Sequence, residues 1–283
     1  MRFIGLLIVI LNVSCCAPKP PVYSFFVAGH TYGKAGVNNE GLHPPFKAEF
    51  PYLQSRPEVE FGVLTGDIVA PKPLLKDWIE VDADVQTLGI PVYFAVGNHD
   101  MENRPIYEER YGATYQQFIH HNDLFIILDP NMDHWNITGE QLAFLKKTVT
   151  ENKDNIDNIY VFFHQLLWKK ANSKYEKIRT NSSSGRAAKI NFWTTIEPIF
   201  HGLPNQVFMF AGDLGAGSWA DNLFYDQYDN ITLVASGMGD GDGDNYIIVN
   251  VDENKLVTYD LICLNKEDQL CTKSLVDYQL MNE

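Results

Sequence analysis

One order of residues recurs along this chain and constrains its fold more than any other feature. An apolar run of strand length is followed directly by a short polar cluster, and the runs cover residues 23–28, 61–64, 90–96, 159–163 and 207–211. Short, continuous apolar runs are typical of the buried strands of parallel sheets. Because open α/β sheets build their sites at the carboxyl ends of strands, the five clusters predict one convergent site on a layered α/β core.

The third run ends in Gly97-Asn98-His99-Asp100, which brings an amide, an imidazole and a carboxylate together after a glycine. The Asn98 carbonyl oxygen is a potential metal ligand, and His99 is able to transfer a proton near neutral pH. The alternative interpretation of the same four residues is a polar turn that caps a following helix. The remaining clusters favour the site over the turn.

Three further residues extend this set from other strand ends. Asp67 follows Gly66 after the second run, His164 follows the fourth run, and Asp213 follows the fifth. Each alone has an ordinary structural interpretation, as a turn residue or a hydrogen-bonded histidine. Together with Asn98 they form the mixture of nitrogen and oxygen ligands expected for a hydrolytic divalent or trivalent metal.

Composition narrows the possible partners. The chain has 283 residues, 45% of them hydrophobic, and a formal net charge of −14. A chain of this length and hydrophobicity can bury a sizeable core. Binding of nucleic acid through a basic surface is not expected, because neutralising phosphates requires clustered Lys and Arg. The sequence gives no indication of an oligomeric state.

Residues 1–16 predict an export leader. Met1 and Arg2 precede an apolar run over 3–13, which is too short to span a bilayer as a helix. Ser14 before Cys15 is typical of a bacterial lipoprotein processing site, with ordinary secretion as the alternative. We expect 17–22 to be a tether and 23–283 one domain. The protein would then be a periplasmic or outer-membrane lipoprotein, in contact with the membrane only through its anchor.

The remaining two cysteines agree with export. Cys263 and Cys271 would close a small loop near the C-terminus, and in an oxidising compartment a disulfide is the simplest interpretation. The alternative is a pair of buried free thiols.

Local patterns predict several other features. Residues 74–88 have helical spacing, and Thr138 with Gln141 predicts a capped helix through residue 149. The polar segment 169–188 indicates an exposed excursion or lid, and 237–244 indicates a solvated acidic turn. His120 and His121 are expected at the surface.

The chain resembles the calcineurin-like metallophosphoesterases, which include the purple acid phosphatases. Gly66-Asp67 and Gly97-Asn98-His99-Asp100 match the family pattern fully, and His164 matches its isolated histidine. The resemblance runs from about residue 23 to the C-terminal strands. It implies an α/β fold in a four-layer α/β/β/α sandwich with two facing mixed sheets, and a phosphoester substrate.

Two motifs depart from the family pattern. The first should carry Asp-x-His; here His30 takes the place of the aspartate and Tyr32 that of the histidine, or, in a second register, Ala28 and His30 take those places. The last motif should read Gly-His-x-His, and here Asp213 replaces its first histidine. The resemblance therefore implies one firm metal site made by Asp67, Asn98, His164 and Asp213. A second site, with His30, Asp67 and Tyr32, is expected to be weak or absent.

The resemblance also implies roles and chemistry for the remaining residues. His99 corresponds to the general acid or phosphate-stabilising histidine, and Asp100 would orient it. The metal is expected to be Mn, Fe or Zn. We expect a metal-dependent phosphomonoesterase or phosphodiesterase of the cell envelope. The alternative is a family member that has lost catalysis and binds a phosphorylated or polymeric envelope ligand.

Overall fold

The computed structural model describes residues 20–37 and 39–280, and within them eleven strands form two mixed sheets. The strands are β1 Tyr23–Ala28, β2 Val59–Leu64, β3 Val92–Phe94, β4 Gln116–His120, β5 Asp123–Ile127, β6 Asn158–Phe162, β7 Gln206–Ala211, β8 Leu223–Tyr228, β9 Ile231–Ser236, β10 Asn245–Val251 and β11 Val257–Cys263. The first sheet has the order β11-β10-β1-β2-β3, and the second has the order β4-β5-β6-β7-β9-β8.

The strands that lead to the polar clusters lie side by side and run parallel. In the first sheet β1, β2 and β3 are parallel, and β10 and β11 are antiparallel additions. In the second sheet β5, β6, β7 and β9 are parallel, with β4 and β8 antiparallel at the edges. The carboxyl ends of the parallel strands therefore meet at one edge of each sheet, as the sequence predicts.

Successive residues of each inner strand serve different layers, because side chains alternate across a sheet. In β1, Phe25 and Val27 face an apolar layer shared with the second sheet, whereas Phe26 and Ala28 pack under the helices of the first. The shared layer is aromatic: the ring of Phe25 lies 5.1 Å from that of Phe61 and 5.0 Å from that of Tyr160. Aromatic contact between the sheets thus fixes their relative position.

Helices cover the outer face of each sheet and complete the four layers. They are α1 Pro44–Lys47, α2 Phe50–Gln54, α3 Leu75–Leu88, α4 Arg104–Tyr111, α5 Gly139–Asn152 and α6 Glu197–Phe200. The first four pack on the first sheet through residues such as Trp78, and α5 and α6 pack on the second through Leu145 and Phe200. The predicted α/β/β/α sandwich is confirmed.

Several local expectations need correction. The sequence patterns did not predict α1 and the start of α2, which lie within residues 36–50, or the edge strands β4 and β8. Thr138 does precede α5, but its hydroxyl donates to the Asp133 carboxylate (2.6 Å) instead of capping the helix. The Gln141 side chain donates to the Asp129 carbonyl and accepts from the Asp129 amide, so the predicted capping box is wrong.

Two segments expected to be solvated have buried anchors. In segment 169–188, Tyr175 and Ile178 are buried, and the Tyr175 hydroxyl donates to the Asp226 carboxylate at 2.6 Å. In segment 237–244, Asp240 and Asp242 are not buried, as predicted, but Asp244 is buried. Its carboxylate accepts hydrogen bonds from backbone amides of its own turn and lies 3.2 Å from Nε2 of His43, which connects this turn to the segment after β1.

The predicted disulfide between Cys263 and Cys271 is present, with Cα atoms 5.9 Å apart. None of the helices in 20–37 and 39–280 has the length and apolar character needed to cross a membrane. The predicted leader, 1–16, and residues 17–19 of the predicted tether lie outside the described residues.

Candidate metal centre

The polar clusters at the ends of β1, β2, β3, β6 and β7 converge on the carboxylate of Asp67. Its Oδ2 atom lies 3.3 Å from Nε2 of His164, 3.4 Å from Nε2 of His99 and 3.8 Å from Nε2 of His30. Asp67 and His164 are buried and come from different sheets. The convergence predicted from strand ends is therefore found at a junction between the two sheets.

Tight turns make this approach possible. Gly66 has φ +84°, and a Cβ there would lie 2.6 Å from the His164 ring and 2.7 Å from the Gly97 nitrogen. Asp67 itself has φ +48° and His30 has φ +54°, conformations that are uncommon for residues other than glycine. Strain of this kind persists where the surrounding structure holds the residue in place, and it is concentrated at functional sites.

Two histidines present the same nitrogen to the centre. Nδ1 of His164 lies 2.8 Å from the Thr65 carbonyl oxygen, and Nδ1 of His30 lies 2.8 Å from the Met238 carbonyl oxygen. A carbonyl accepts only from a protonated nitrogen, so both Nδ1 atoms carry hydrogen. Each Nε2 is thereby directed at Asp67, which is the arrangement by which proteins orient histidine ligands of metals.

The carboxylate of Asp213 is buried beside His164 and has few polar contacts. It is 0% exposed, both carboxylate oxygens lack hydrogen-bond partners among the described residues, and Oδ1 lies 3.8 Å from His164 Nε2, which also lacks one. Burial, assisted by the charge of Asp67, raises the pKa of Asp213 to about 8 against the opposing influence of His164 and the Ser182 backbone. A buried carboxylate without donors is strongly disfavoured unless a positive charge faces it.

Burial and neighbouring charges shift the pKa values of His164, His30 and Asp67 in different directions. Burial opposes charge on His164, but the carboxylates of Asp67 and Asp213 outweigh it and raise its pKa to about 10. Burial lowers the pKa of His30 to about 4, so that imidazole is neutral at pH 7. In Asp67 burial acts upward, yet the three surrounding imidazoles hold its pKa below the usual range. A metal ion at this centre would replace the proton on His164.

The donor set therefore fits a cation, provided that the carboxylates of Asp67 and Asp213 come closer to each other. Oxygens of Asp67 and Asp213 both approach His164 Nε2, but these two oxygens lie more than 4.8 Å from each other. To hold one cation together, these two carboxylates would have to lie closer to each other, and the Ser182 backbone is the donor that acts on Asp213. Asn98 is half-buried beside His99.

Asp100 does not orient His99, and this expectation was wrong. Its buried carboxylate instead accepts three backbone hydrogen bonds, from Ile68 (2.8 Å), Val69 (3.0 Å) and Gly97 (2.7 Å). It joins the loop after β2 to the loop after β3 and so supports the site from behind. The carboxylate nearest to Nδ1 of His99 is that of Glu102, at 3.4 Å, which sequence reasoning missed.

Tyr32 lies beside the centre, as the first of the two registers requires. Its buried ring is 4.4 Å from the His30 ring and 5.5 Å from the His99 ring. Burial raises the pKa of its phenol well above the usual value, so Tyr32 is a neutral neighbour. Gly215, at the place of the last family histidine, contributes no side chain.

Sequence reasoning also missed two buried polar groups, those of Gln165 and Arg186. Gln165 follows His164 directly, its amide nitrogen donates to Asn131 at 2.6 Å, and its carbonyl oxygen is buried without a hydrogen bond from the described residues. Arg186, from the polar segment, donates to the Lys169 carbonyl, and its buried Nε has no acceptor within 20–37 and 39–280. The adjacency of Gln165 to His164 was the available signal; nothing local marks Arg186.

Comparison with known proteins identifies the family of this chain. The family model for calcineurin-like phosphoesterases matches residues 30–189, which is more than half of the chain. The chain belongs to the calcineurin-like phosphoesterase family. No curated protein sequence matches it significantly.

One solved structure shares this fold, and two others are similar at lower TM-scores. Purple acid phosphatase PPD1 from yellow lupin is similar with a TM-score of 0.62 and 12% identity, over 88% of this chain and 52% of the lupin chain. The 5'-nucleotidase precursor from Thermus thermophilus gives 0.47 and 12%, over 90% and 58%. The NAD nucleotidase of Haemophilus influenzae gives 0.43 and 12%, over 85% and 49%. This chain thus spans about half the length of these proteins.

Proposed function

We propose that this family member hydrolyses phosphoric esters with a divalent or trivalent cation held by Asp67, Asn98, His164 and Asp213. The observation that carries the proposal is the buried carboxylate of Asp213, whose oxygens receive no hydrogen bond of ordinary geometry from the described residues and one of which lies 3.8 Å from Nε2 of His164. When bound, a cation there supplies Lewis-acid activation of the phosphoryl group and of water. Mn, Fe and Zn are the metals that suit this mixture of ligands.

The chain's own residues provide proton transfer and orientation. His99 is 22% exposed at its side chain, so it is reachable by a substrate, while its Nε2 stays 3.4 Å from Asp67. The backbone amide of His99 donates to Asp67 Oδ1 at 3.0 Å, which fixes the turn. Glu102 lies on the other side of the ring and can stabilise the imidazolium form. His99 is therefore suited to donate a proton to a leaving oxygen.

A basic pocket near the centre supports an anionic substrate. It has a volume of about 280 Å³, and Trp135, Lys169, Lys170 and Arg186 are among its lining residues. The Arg186 guanidinium lies 5.8 Å from the centre of the Trp135 ring, and Asp213 influences the pKa of Lys169. The cationic side chains of Lys169 and Arg186 in this pocket can bind phosphate oxygens or an anionic leaving group.

The test is turnover of an aryl phosphate and of an aryl phosphodiester by the purified protein, with Mn, Fe or Zn and after removal of metal. We expect metal-dependent release of the phenol and its loss in Asp213→Asn. Asp221→Asn is the matched control, because Asp221 is an aspartate of the same region that is paired with Arg179. Equal rates with and without metal would contradict the proposal.

His99→Ala should lower turnover on the order of a hundredfold, which is typical of a lost general acid. Metal content and thermal stability should stay near those of the unmodified protein, since His99 is partly exposed. Undiminished turnover would remove His99 from the mechanism.

Metal stoichiometry follows from the same residues. His30 and Asp67 are the candidate ligands for a second cation, with Tyr32 neutral and Gly215 without a side chain. We therefore propose one firm site and a second that is weak or absent. In a titration followed by calorimetry, Asp213→Asn should remove the tight binding event. Two ions of equal affinity that both depend on this centre would contradict the proposal.

A second candidate is a binding protein without turnover. His30 at the place of the first carboxylate favours it, because a weakened second cation also weakens activation of the nucleophile. The ligand would be a phosphorylated or polymeric component of the cell envelope. Retention of metal together with absence of turnover on both aryl substrates would favour this function over the first.

We also propose that the protein is exported, as a lipoprotein or in secreted form. The disulfide between Cys263 and Cys271 supports export, because such bonds persist in oxidising compartments. Metabolic labelling with palmitate in a bacterial host tests the anchor, and Cys15→Ser should abolish the label. Unchanged labelling of that variant would contradict attachment at Cys15.

A further inference from the structure

A second cluster of metal-binding side chains lies at the far end of the sheets. Glu60, His120 and His121 are a trio of the described residues whose ligand atoms all lie within 4.8 Å of one another. Nε2 of His120 is 2.6 Å from Glu60 Oε2, and Nε2 of His121 is 3.1 Å from the same oxygen. Glu60 is near the start of β2, roughly 20 Å of extended chain from Asp67 at the other end.

The β4–β5 hairpin explains why two adjacent histidines reach one carboxylate. Neighbouring strand residues normally point to opposite faces. Here His120 pairs with Asp123, and the two residues between them, His121 and Asn122, have φ +45° and +68°. That is the backbone of a two-residue hairpin turn, which usually carries Asn-Gly. Leaving the extended conformation at His121 brings its ring to the side of His120.

Aromatic rings hold both imidazoles in place. The Tyr23 ring stacks on His121 at 4.8 Å and meets His120 edge-on at 5.2 Å, and the Phe61 ring meets His120 at 5.2 Å. Tyr23 is itself fixed, because its hydroxyl donates to the buried Asp123 carboxylate. Ligands whose rotamers are fixed by packing form a preorganised site.

We propose that Glu60, His120 and His121 bind a zinc ion, separately from the centre at Asp67. Two imidazoles and one carboxylate are the three-ligand set of many zinc sites, with water in the fourth position. The two Nε2–Oε2 separations are slightly shorter than the ~3.3 Å between ligands of a tetrahedral zinc with bonds of about 2.0–2.1 Å, so small rotations suffice. All three side chains are between 31% and 39% exposed, so the ion can enter from solvent.

The ion would join the two sheets at this end. Glu60 belongs to the first sheet, whereas His120 and His121 belong to the hairpin at the edge of the second. The nearby ammonium of Lys255, 3.4 Å from the His121 carbonyl, is paired with Asp157 at 3.2 Å, which reduces its repulsion of a cation. The competing explanation is a pair of ion pairs between protonated histidines and Glu60.

Zinc binding to the full chain, stripped of metal by a chelator, distinguishes these explanations. His121→Asn is the chosen variant, because asparagine accepts the left-handed backbone of the turn. We expect one zinc fewer per chain in equilibrium dialysis, or a dissociation constant at this site at least about tenfold higher. Glu60→Gln should give the same loss and serves as the second variant if the first folds poorly.

His201→Ala is the matched control. His201 also faces two carboxylates, Glu197 and Asp229, but it does so through its two different nitrogens, so they do not converge on one point. The His201→Ala variant should bind as much zinc as the unmodified protein. Asp213→Asn should keep the hairpin zinc, and His121→Asn should keep phosphoesterase turnover. Zinc content and affinity unchanged in both His121→Asn and Glu60→Gln would overturn the proposal.

Discussion

Asp100 and Asp213 are both buried aspartates at the end of a strand, and they have opposite surroundings. Asp100 accepts three backbone hydrogen bonds from two loops, whereas neither oxygen of Asp213 receives one of ordinary geometry from the described residues and only the Ser182 backbone acts on it as a donor. Burial raises the pKa of Asp100 to about 6 and that of Asp213 to about 8, and backbone donors moderate the rise in Asp100. A carboxylate that is already satisfied supports the scaffold, and one that is not requires a ligand.

The largest effect should come from Asp213→Asn. The variant keeps the size of the side chain but removes the charge that faces the cation, which is worth several kcal/mol, or roughly a thousandfold in rate. Initial rates on an aryl phosphate and bound metal measured by mass spectrometry check this. Asp221→Asn should leave both unchanged; if Asp213→Asn does so too, the contrast with Asp100 has no functional meaning.

Asp100→Asn should act on stability. The new amide group would place donors against backbone amides that now donate to the carboxylate, so the free energy of unfolding should fall by about 3 kcal/mol. Urea unfolding of the metal-free protein measures it. Metal stoichiometry should be retained. Loss of metal at unchanged stability would reverse the roles assigned to these two aspartates.

The stability of the metal-free protein should depend on pH through Asp213 and His164. Folding raises the pKa of Asp213 from 3.8 to about 8 and that of His164 from 6.5 to about 10. Between these values the folded state binds more protons than the unfolded state, so stability falls as pH rises. Both groups contribute between pH 6.5 and 8.

Thermal unfolding in a chelator from about pH 6 to 9 tests this. The melting temperature should decrease with pH, and Asp213→Asn should give a shallower decrease because one of the two groups no longer titrates. Asp221→Asn should follow the unmodified protein. Parallel curves for Asp213→Asn and the unmodified protein would show that Asp213 is not protonated in the folded state.

The smallest effect should come from Glu102→Gln. Glu102 lies 3.4 Å from His99 Nδ1 and is 40% exposed at its side chain, so its support of the imidazolium is screened by water. Turnover should fall only a few-fold. A much larger fall in Asp100→Asn than in Glu102→Gln, at unchanged stability, would restore the role first expected for Asp100.

Much of the fold was predictable, because buried parallel strands have continuous apolar runs in their sequence. The strands around 23–28, 61–64 and 207–211 were located from such runs. The missed strand β8, Leu223–Tyr228, is at a sheet edge and mixes Asp and Gln with aromatic residues, so its sequence carries no buried run. Edge strands depend on pairing with a neighbour, which sequence alone does not show.

The site was predictable in its members but not in their roles. Strand ends brought together Asp67, His164 and Asp213 in the structure as expected. The partners of Asp100 include backbone amides 31 and 32 residues away, and no side-chain pattern encodes them. For the same reason the trio of Glu60, His120 and His121 escaped notice, since it forms only when a hairpin meets another sheet.

The centre at Asp67 takes its residues from both sheets, and the aromatic layer between them sets how far apart those sheets stand. The affinity of the proposed cation site should therefore depend on the distance between the two sheets. A smaller side chain in that layer, as in Phe25→Leu, would shift one half against the other and be read out as weaker metal binding at a distance. Cation affinity would in this way decrease after a change in core packing, even when every ligand residue is unchanged.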